Sequence, residues 1–157
     1  MAKHGPPDTT VCRNRKAAHE YHLLDTIECG MVLVGTEVKS LRDKAASLDE
    51  AYARIERDEL WLIGCHIAAY AFGHINNHDP TRRRKLLARR QELRKLKPKV
   101  EQKGLTLVPL RIYFSERGLA KVTIALAKGK SHGDKRESHK TRDHQREMDR
   151  ALRRGGS

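Results

Sequence analysis

Residues 106–128, TLVPLRIYFSERGLAKVTIALAK, give the strongest indication of the fold, because apolar and polar side chains alternate on both sides of a Gly-containing turn. Alternation with a period of two is typical of β-strands, so we predict strands over 106–114 and 119–128, joined at Ser115–Gly118. The residues predicted to share one face of each strand are Thr106, Val108, Leu110, Ile112 and Phe114 on the first, and Ala120, Val122, Ile124 and Leu126 on the second. Pro109 lies on the opposite face and indicates an edge or a bulge, because it has no amide proton for the strand ladder.

Shorter segments upstream predict further strands and two helical pieces. The additional β-segments are 22–27, 31–34, 52–55 and 60–65. The first two are separated by Cys29–Gly30, and the last two form a hairpin around Arg57–Asp58. The run NRKAAHEY (14–21) fits one or two helical turns, and GTEVKSLRDK (35–44) fits a short amphipathic helix.

This arrangement of strands favours a small closed or partly closed barrel, because closure removes the unpaired edges of a sheet. We predict a mainly β fold, namely a small antiparallel OB-like β-barrel with accessory α-helices and a basic C-terminal tail. The predicted organisation is a flexible segment over 1–13, the barrel with an inserted basic helix over 14–130, and a tail over 131–157 that is disordered on its own.

The balance of charge predicts a polyanionic partner. The 157 residues include 33 Lys or Arg and 20 Asp or Glu, for a formal net charge of +13 and a pI near 10.0. A field of this strength fits nucleic acid or an acidic membrane surface. No apolar run approaches the roughly 20 residues that span a bilayer. The N-terminal residues lack the apolar core of a secretory signal, and three scattered cysteines fit a reducing cytoplasm rather than a disulfide scaffold or a zinc knuckle.

Much of the positive charge lies in residues 81–100, which contain ten Lys or Arg residues and one acid, Glu92. Four apolar residues in this region recur at helical spacing: Leu86, Leu93, Leu96 and Val100. We therefore predict a basic helix that exposes most of its cations. Asp79–Thr81 is expected to cap its start, and Pro98 is expected to break it or to begin a second short piece.

The second concentration of charge is the C-terminal end. Residues 128–157 contain ten Lys or Arg residues and five acids, and beyond residue 130 the apolar side chains nearly vanish. Such a segment buries too little apolar surface to offset its ordering entropy. It contains no proline and many good helix formers, so we expect it to become helical once a polyanion neutralises its charge.

Five runs occur in a specific order: NRKAAHEY (14–21), GTEVKSLR (35–42), HDPTRRRKLL (78–87), KGLTLVPLRIY (103–113) and LAKGKSHGDKR (126–136). In this order and spacing they resemble the SsrA-binding protein (SmpB) family, the bacterial protein partners of transfer-messenger RNA (tmRNA). The resemblance spans roughly residues 14 to 136. One departure is Gly133, which separates His132 from the Asp-Lys-Arg motif that directly follows the histidine in the family.

The resemblance implies an OB-like barrel that binds the tRNA-like domain of tmRNA and serves trans-translation, the rescue of stalled ribosomes with tagging of the nascent chain. The body would stand where a tRNA has its anticodon arm. The tail would enter the empty mRNA channel at the decoding centre and fold there as a helix. The family implies no enzymatic activity, no cofactor and no membrane. It implies a cytoplasmic monomer, accompanied by an elongation factor that carries the aminoacylated RNA.

The resemblance and the chemistry of the side chains together give two sets of candidate residues. The candidate RNA contacts are Asn14, Arg15, Lys16, His19, Glu28, Lys39, Ser40, Arg42, Arg82, Arg84, Lys85, Leu86, Leu87, Lys128 and Lys130. The candidate ribosome contacts in the tail are His132, Asp134, Lys135, Arg136, Lys140 and Arg142. Lys and Arg suit phosphates, Asn and His suit unstacked bases or 2′-hydroxyls, and a carboxylate can accept from base amino groups. We expect Glu37 to form a structural ion pair, His66 to be buried, and Trp61 to lie in the core or at its rim.

Two other functions remain open at this point. A generic single-stranded or ribosomal RNA-binding OB module would also use a barrel and a basic helix. A metal-dependent nuclease would use the His and Asp residues of the tail, but that segment lacks the apolar partners that fix catalytic geometry. His74 and His78 have no third ligand nearby in the sequence, so we expect a solvent-exposed loop there rather than a metal site.

Overall fold

The structure is a computed structural model that describes residues 9–73 and 77–130, together with residues 146 and 148. The elements follow in this order: β1 (Thr10–Arg13), α1 (Ala17–Glu20), β2 (Tyr21–Met31), α2 (Gly35–Arg42), β3 (Ala46–Ser47), β4 (Tyr52–Glu56), β5 (Glu59–Ile63), β6 (His66–Ile67), β7 (Arg84–Leu87), α3 (Arg90–Lys103), β8 (Thr106–Phe114) and β9 (Ala120–Gly129). The predicted tail, residues 131–157, lies almost entirely outside the described residues.

Six of the strands close into an antiparallel ring around the hydrophobic core. The order around the ring is β8, β4, β5, β7, β2 and β9, and β9 pairs again with β8. β1 lies beside β8, while β3 and β6 form a separate two-stranded sheet. The ring, with its accessory helices, confirms the predicted mainly β, OB-like fold. Both predicted hairpins, β4–β5 and β8–β9, are present.

β8 changes face in its middle. Its register with β9 shifts just after Pro109, so the bulge predicted there is confirmed. Leu107 and Ile112 pack in the main core, whereas Val108 packs in a second cluster beneath α1. The single apolar face predicted for this strand is therefore wrong, because the extra residue of a bulge reverses the side that later residues face. The face predicted for β9 is confirmed, since its four members all pack on the main core.

β2 is one continuous strand of 11 residues, so the break predicted at Cys29–Gly30 is wrong. Gly30 pairs with Leu87 of β7. A Cβ atom at position 30 would lie 3.5 Å from the Cβ atom of Leu87. The glycine leaves room for the leucine between two paired strands, and the backbone remains extended. A glycine inside a strand commonly marks such a close approach.

The basic segment 81–100 is a strand followed by a helix rather than one helix. Leu86 belongs to β7, and α3 begins at Arg90, so the helix start predicted at Asp79–Thr81 is wrong. Leu93, Leu96 and Val100 of α3 do pack on the core, as their spacing predicts. α3 also continues through Pro98, and the predicted break is wrong because core contacts on either side of the proline hold the helix together. Gly104, with a φ of 63°, ends α3.

The N-terminal boundary also differs from the prediction. Thr10–Arg13 was expected to be flexible, but it pairs with β8, and the Phe114 amide donates to the Thr9 carbonyl. Val11 is 9% exposed and belongs to the main core. Pairing with β8 and the packing of Val11 and Cys12 on the main core order this short segment. Among the described residues, no helix is both long and apolar enough to span a membrane.

Candidate nucleic-acid interface

Glu37 of α2 and Arg84 of β7 form a fully buried ion pair. Arg84 Nε lies 2.5 Å from Glu37 Oε2, and both side chains are 0% exposed. Arg82 Nη2 donates to Glu37 Oε1 at 2.5 Å, and the Val34 amide donates to the same oxygen at 2.9 Å. Burial alone would raise the pKa of Glu37, but the hydrogen bonds from Arg82, Val34 and Arg84 outweigh it and hold the pKa below its ordinary value. The expected structural role of Glu37 is confirmed.

The same geometry corrects three candidate RNA contacts. Arg84 also donates to the carbonyls of Cys65, at 2.6 Å, and Pro80, at 3.1 Å. Its guanidinium group therefore forms its hydrogen bonds within the protein. Ser40 and Leu86 are each 2% exposed and face the core. None of the three reaches the surface, and RNA cannot contact them here. For Arg84 and Leu86 the difference follows from the local structure, because residues 84–87 form a strand rather than the predicted helix, and in β7 Arg84 and Leu86 point inward while Lys85 and Leu87 point outward.

Three cations lie around α1, and we call them the α1 cluster: Arg15, Lys16 and Lys130. Lys128 is also exposed near the end of β9, but it lies on the other face of that strand, beside Lys99 and Leu105. Ala17 anchors α1 on Val108 and Ala127, which leaves Arg15 and Lys16 exposed. The end of β9 is tied to α1, because Lys130 Nζ donates to the Ala18 carbonyl at 2.9 Å and its amide donates to the Glu20 carbonyl. The cluster therefore presents cations on a rigid frame.

Asn14 and His19 are partly buried beside the α1 cluster. Asn14 donates its backbone amide to the Leu110 carbonyl at 2.7 Å and its side-chain amide to the Pro109 carbonyl at 3.0 Å. Asn14 thus fixes the start of α1 on the bulged part of β8. This role was not predicted from the sequence, because the bulge carbonyls that it satisfies become visible only in the fold.

Glu28 stands on the outer face of β2 in a polar group with Thr123 and Tyr113. Its carboxylate accepts from Tyr113 Oη at 2.6 Å and from Thr123 Oγ1 at 2.9 and 3.0 Å. Partial burial and the hydrogen bond to this carboxylate raise the pKa of Tyr113 to about 12. The Arg111 guanidinium lies 4.3 Å from the centroid of the Tyr113 ring. Glu28 is exposed and fixed on one side, so its remaining acceptor positions are available to base amino groups.

Arg111 and Tyr113 were not among the candidate residues. The signal for them was present, because both occupy alternate positions of a predicted strand. The shift of register after Pro109 was needed to bring Arg111 opposite Thr123, next to Glu28.

Lys39 and Arg42 are exposed on one side of α2, three residues apart as predicted. Lys39 Nζ lies 5.4 Å from the centroid of the Tyr70 ring, and the Arg42 guanidinium carbon lies 5.7 Å from that of Phe114. Cation–π contacts of this kind hold long side chains in place without using their hydrogen-bond donors. Both cations therefore keep donors for phosphate oxygens.

The remaining cations near β7 already have partners in the protein. Arg82 is bound to Glu37, Arg83 Nη2 lies 2.6 Å from Glu56 Oε2, and Lys85 Nζ lies 3.2 Å from Glu59 Oε1. Arg83 also covers the half-buried Trp61 ring at 5.2 Å. Trp61 lies between Leu60 and Leu62, which face the core, so it stands on the outer face of β5 rather than in the core or at its rim as expected. Leu87 is 55% exposed at the outer edge of β7. Arg82 and Lys85 retain partial exposure, so they can contact RNA only alongside these carboxylates.

A groove of about 620 Å³ lies between α3 and the strands β5 and β7. Its lining includes the cations Arg57, Lys85, Arg90, Arg94 and Lys97 and two carboxylates, Asp58 and Glu59, which pair with Lys97 and Lys85. Leu60, Leu86 and Leu93 form part of an apolar lining, and Leu87 stands at the edge. The basic helix predicted from the sequence therefore contributes to this groove rather than to a flat solvated face.

The histidines and cysteines do not form a reactive centre in the described part of the chain. His66 is exposed, so the expectation that it is buried is wrong. His78 is the buried one, with its ring nitrogens 2.8 Å from Thr36 Oγ1 and from the Ile67 carbonyl oxygen. Burial raises the pKa of Cys12 to about 11 and those of Cys29 and Cys65 to about 12, so the thiols remain protonated. The described residues contain no group of three His, Cys, Asp or Glu placed to hold a metal.

The six candidate tail contacts lie outside the described residues: His132, Asp134, Lys135, Arg136, Lys140 and Arg142. The effect of Gly133 lies outside them as well.

Comparison with known proteins places these features in a family context. The family model described as "SmpB protein" matches residues 11–154. The SsrA-binding protein of Chelativorans sp. is 51% identical over 148 residues, which cover 94% of this chain and 96% of that protein. The SsrA-binding protein of Moorella thermoacetica is 53% identical over 143 residues, covering 91% and 92%. A chain in the solved structure described as "tmRNA-SmpB: a journey to the center of the bacterial ribosome" is similar with a TM-score of 0.65 and 52% identity, over 80% of this chain and 92% of that chain.

Proposed function

The chain belongs to the SmpB family, and on that premise we propose that it is an RNA-binding adaptor of ribosome rescue. It binds the tRNA-like domain of tmRNA and delivers this RNA to stalled ribosomes for trans-translation. The observation that carries the proposal is the match of the family model over residues 11–154, most of the chain. The similar tmRNA-SmpB structure supports tmRNA and the ribosome as the two partners.

The described surface fits this function. The α1 cluster and the Glu28 group lie on the outer surface of neighbouring strands, where β2 pairs with β9. Exposed cations hold phosphates, and a carboxylate within a basic surround discriminates among bases because it accepts hydrogen bonds only from base edges that present donors, such as amino groups. Phosphate contacts would supply affinity and Glu28 would supply part of the preference for one RNA.

The contacts that we propose are those candidates whose side chains reach the surface. They are Asn14, Arg15, Lys16, His19, Glu28, Lys39, Arg42, Arg82, Lys85, Leu87, Lys128 and Lys130. Arg111 and Tyr113 join them, because they flank Glu28. Asn14 acts mainly by fixing α1, since its described hydrogen bonds go to the protein backbone.

The remaining parts of the proposal concern the tail and the setting. Residues 131–157 enter the empty mRNA channel and become helical there, with the six tail residues named above contacting the decoding region. The chain acts as a monomer without performing chemistry, because peptide transfer belongs to the ribosome. An elongation factor carrying the aminoacylated tmRNA accompanies it, and its place of work is the cytoplasm, where ribosomes are.

A gel-shift comparison tests the proposal directly. The full chain is titrated against the tRNA-like domain of tmRNA and against an unrelated hairpin of equal length at the same salt concentration. We expect a clear preference for the tRNA-like domain, and we expect Glu28→Gln to reduce this preference several-fold. Glu116→Gln, which neutralises an exposed carboxylate at the β8–β9 turn, serves as the matched control. Equal affinity of the unchanged chain for both RNAs would refute the proposed partner.

A further inference from the structure

Two aromatic and two cationic side chains lie on the surface at and beside α2. The Tyr70 and Phe72 ring centroids lie 5.6 Å apart in an edge-to-face arrangement, with 69° between the ring planes. Lys39 lies over the Tyr70 ring, and Arg42 follows one turn later on the same side of α2. We call Lys39, Arg42, Tyr70 and Phe72 the α2 patch.

Phe72 is the outer end of this patch. It is 74% exposed, more than any other large apolar side chain among the residues that the structure describes. The described residues around it are tied together, because Asn77 Nδ2 donates to the Tyr70 carbonyl at 2.7 Å and the Tyr70 amide donates to Asn77 Oδ1 at 3.0 Å. The Gly73 amide closes the turn over residues 70–73 by donating to the same carbonyl at 3.0 Å. A phenyl ring that a hydrogen-bonded turn holds in water forfeits hydrophobic free energy, which favours a ligand as the reason for its position.

The neighbours of Phe72 favour a nucleotide as that ligand. Surfaces that bind single-stranded nucleic acid combine aromatic rings, on which bases stack, with cations that hold the backbone. The α2 patch has both, with Lys39 and Arg42 on the helix and the free face of Phe72 at the loop tip. An apolar protein segment would gain from the ring but would leave the two cations without acceptors. The overall charge of +13 points the same way.

The α2 patch is separate from the α1 cluster. α1 ends immediately before the first residue of β2, and α2 begins four residues after its last residue. β2 has 11 residues, and a strand advances roughly 3.3 Å per residue, so roughly 30 Å of strand separates the two sites. The proposed function requires this chain to contact two RNAs together. The α1 cluster and Glu28 serve the tRNA-like domain, and the α2 patch is available for ribosomal RNA beside the proposed contacts of the tail.

We propose that the α2 patch binds an unpaired nucleotide of ribosomal RNA, with the base stacked on Phe72 and the neighbouring phosphate held by Lys39 and Arg42. This inference rests on the proposed function, because it assigns one of the two RNA partners to a particular surface. Tyr70 positions the patch, since its ring contacts both Lys39 and Phe72.

The test measures affinity for two RNA sources in parallel, purified bacterial small ribosomal subunits and the isolated tRNA-like domain of tmRNA. The variants of the full chain are Phe72→Ala, Phe72→Leu and Phe72→Trp. Leu119→Ala is the matched control, because Leu119 is 59% exposed at the β8–β9 turn, outside the patch. Since stacking of one base on an aromatic ring contributes substantially to affinity, we expect Phe72→Ala and Phe72→Leu to weaken subunit binding about tenfold. Phe72→Trp and Leu119→Ala should leave it unchanged, and affinity for the tRNA-like domain should not move in any variant.

The occupant is identified by placing the photo-crosslinking residue p-benzoylphenylalanine at position 72 and irradiating the chain with tmRNA on the ribosome. A crosslink to ribosomal RNA supports the inference, whereas a crosslink only to a ribosomal protein or to tmRNA overturns it. Unchanged subunit binding by Phe72→Ala, or an equal loss in Leu119→Ala, also overturns it. Any of these negative outcomes leaves the proposed function intact as long as the unchanged chain binds the tRNA-like domain. If the unchanged chain does not bind the tRNA-like domain, the proposed function itself is wrong.

Discussion

The Glu37 carboxylate lies 2.5 Å from the Arg84 guanidinium, and neither side chain is exposed to solvent. The pair joins α2, which carries Lys39 and Arg42, to β7, which carries Lys85 and Leu87. Two surface segments proposed to contact RNA are thus fixed to each other from inside the protein. A buried ion pair is costly to desolvate, and removing one partner leaves the other charge uncompensated.

Replacement of Glu37 by glutamine should therefore destabilise the protein severely. Breaking a buried pair by removing one charge typically costs about 3–5 kcal/mol. The free energy of unfolding, measured by urea titration of the variant and the unchanged chain, is expected to fall by an amount in that range. The double variant Glu37→Gln, Arg84→Met should recover part of the loss, because it no longer buries an unpaired guanidinium. A single variant as stable as the unchanged chain would contradict the buried pairing.

The pKa of Glu37 predicts how stability depends on pH. Its pKa in the folded protein lies below the ordinary value of 4.5. The folded state therefore binds fewer protons at this site than the unfolded state. The resulting stabilisation is complete above the unfolded pKa and is lost as the pH falls through the folded pKa.

We accordingly expect the free energy of unfolding to be flat near neutral pH and to decrease as the pH falls below about 4.5, the unfolded value. Urea titrations at a series of acidic pH values measure it. Glu56→Gln is the control, because Arg83 also lowers the pKa of Glu56 but this carboxylate is solvent-screened and should not change the acid dependence noticeably. If the acid dependence of the free energy of unfolding disappears in Glu56→Gln, it arises from Glu56 and the prediction for Glu37 is wrong.

The error over Arg84 shows why the fold was more predictable than the site. The strands β8 and β9 could be predicted because their apolar residues alternate over nine and ten residues. β7 has only four residues, and Leu86 also fits the helical spacing of the following segment. The spacing of apolar residues therefore did not show which basic side chain of this segment faces the core. The inward position of Arg84 depended on Glu37, 47 residues earlier in the chain, being buried opposite.

The exposed cations just before α1 should set the salt dependence of tmRNA binding. Arg15 and Lys16 are both exposed, and each phosphate that they neutralise adds about 0.7 to 0.9 to the slope of log affinity against log salt. The double variant Arg15→Ala, Lys16→Ala is expected to reduce the slope for the tRNA-like domain by about 1.4 to 1.8. The measurement is a series of gel shifts or filter-binding titrations at increasing salt.

A matched variant separates phosphate contact from loss of charge. Arg54→Ala, Lys97→Ala removes the same charge from two cations that pair with Glu56 and Asp58 on the protein surface. Its slope should remain close to that of the unchanged chain. If both double variants reduce the slope equally, Arg15 and Lys16 act only through the overall field and do not touch phosphate.

Removal of residues 131–157 should separate RNA binding from rescue. The ring closes through β9, which ends at Gly129, and the α1 cluster needs no residue beyond Lys130, so the shortened chain keeps its described fold and its proposed tmRNA surface. We expect its affinity for the tRNA-like domain to stay within a few-fold of the full chain. Tagging of nascent chains on ribosomes stalled without a stop codon should be abolished in a reconstituted translation assay, because nothing then occupies the mRNA channel. Full tagging by the shortened chain would assign recognition of the stalled ribosome to the body, and a large loss of tmRNA affinity would show that the tail belongs to the RNA-binding surface.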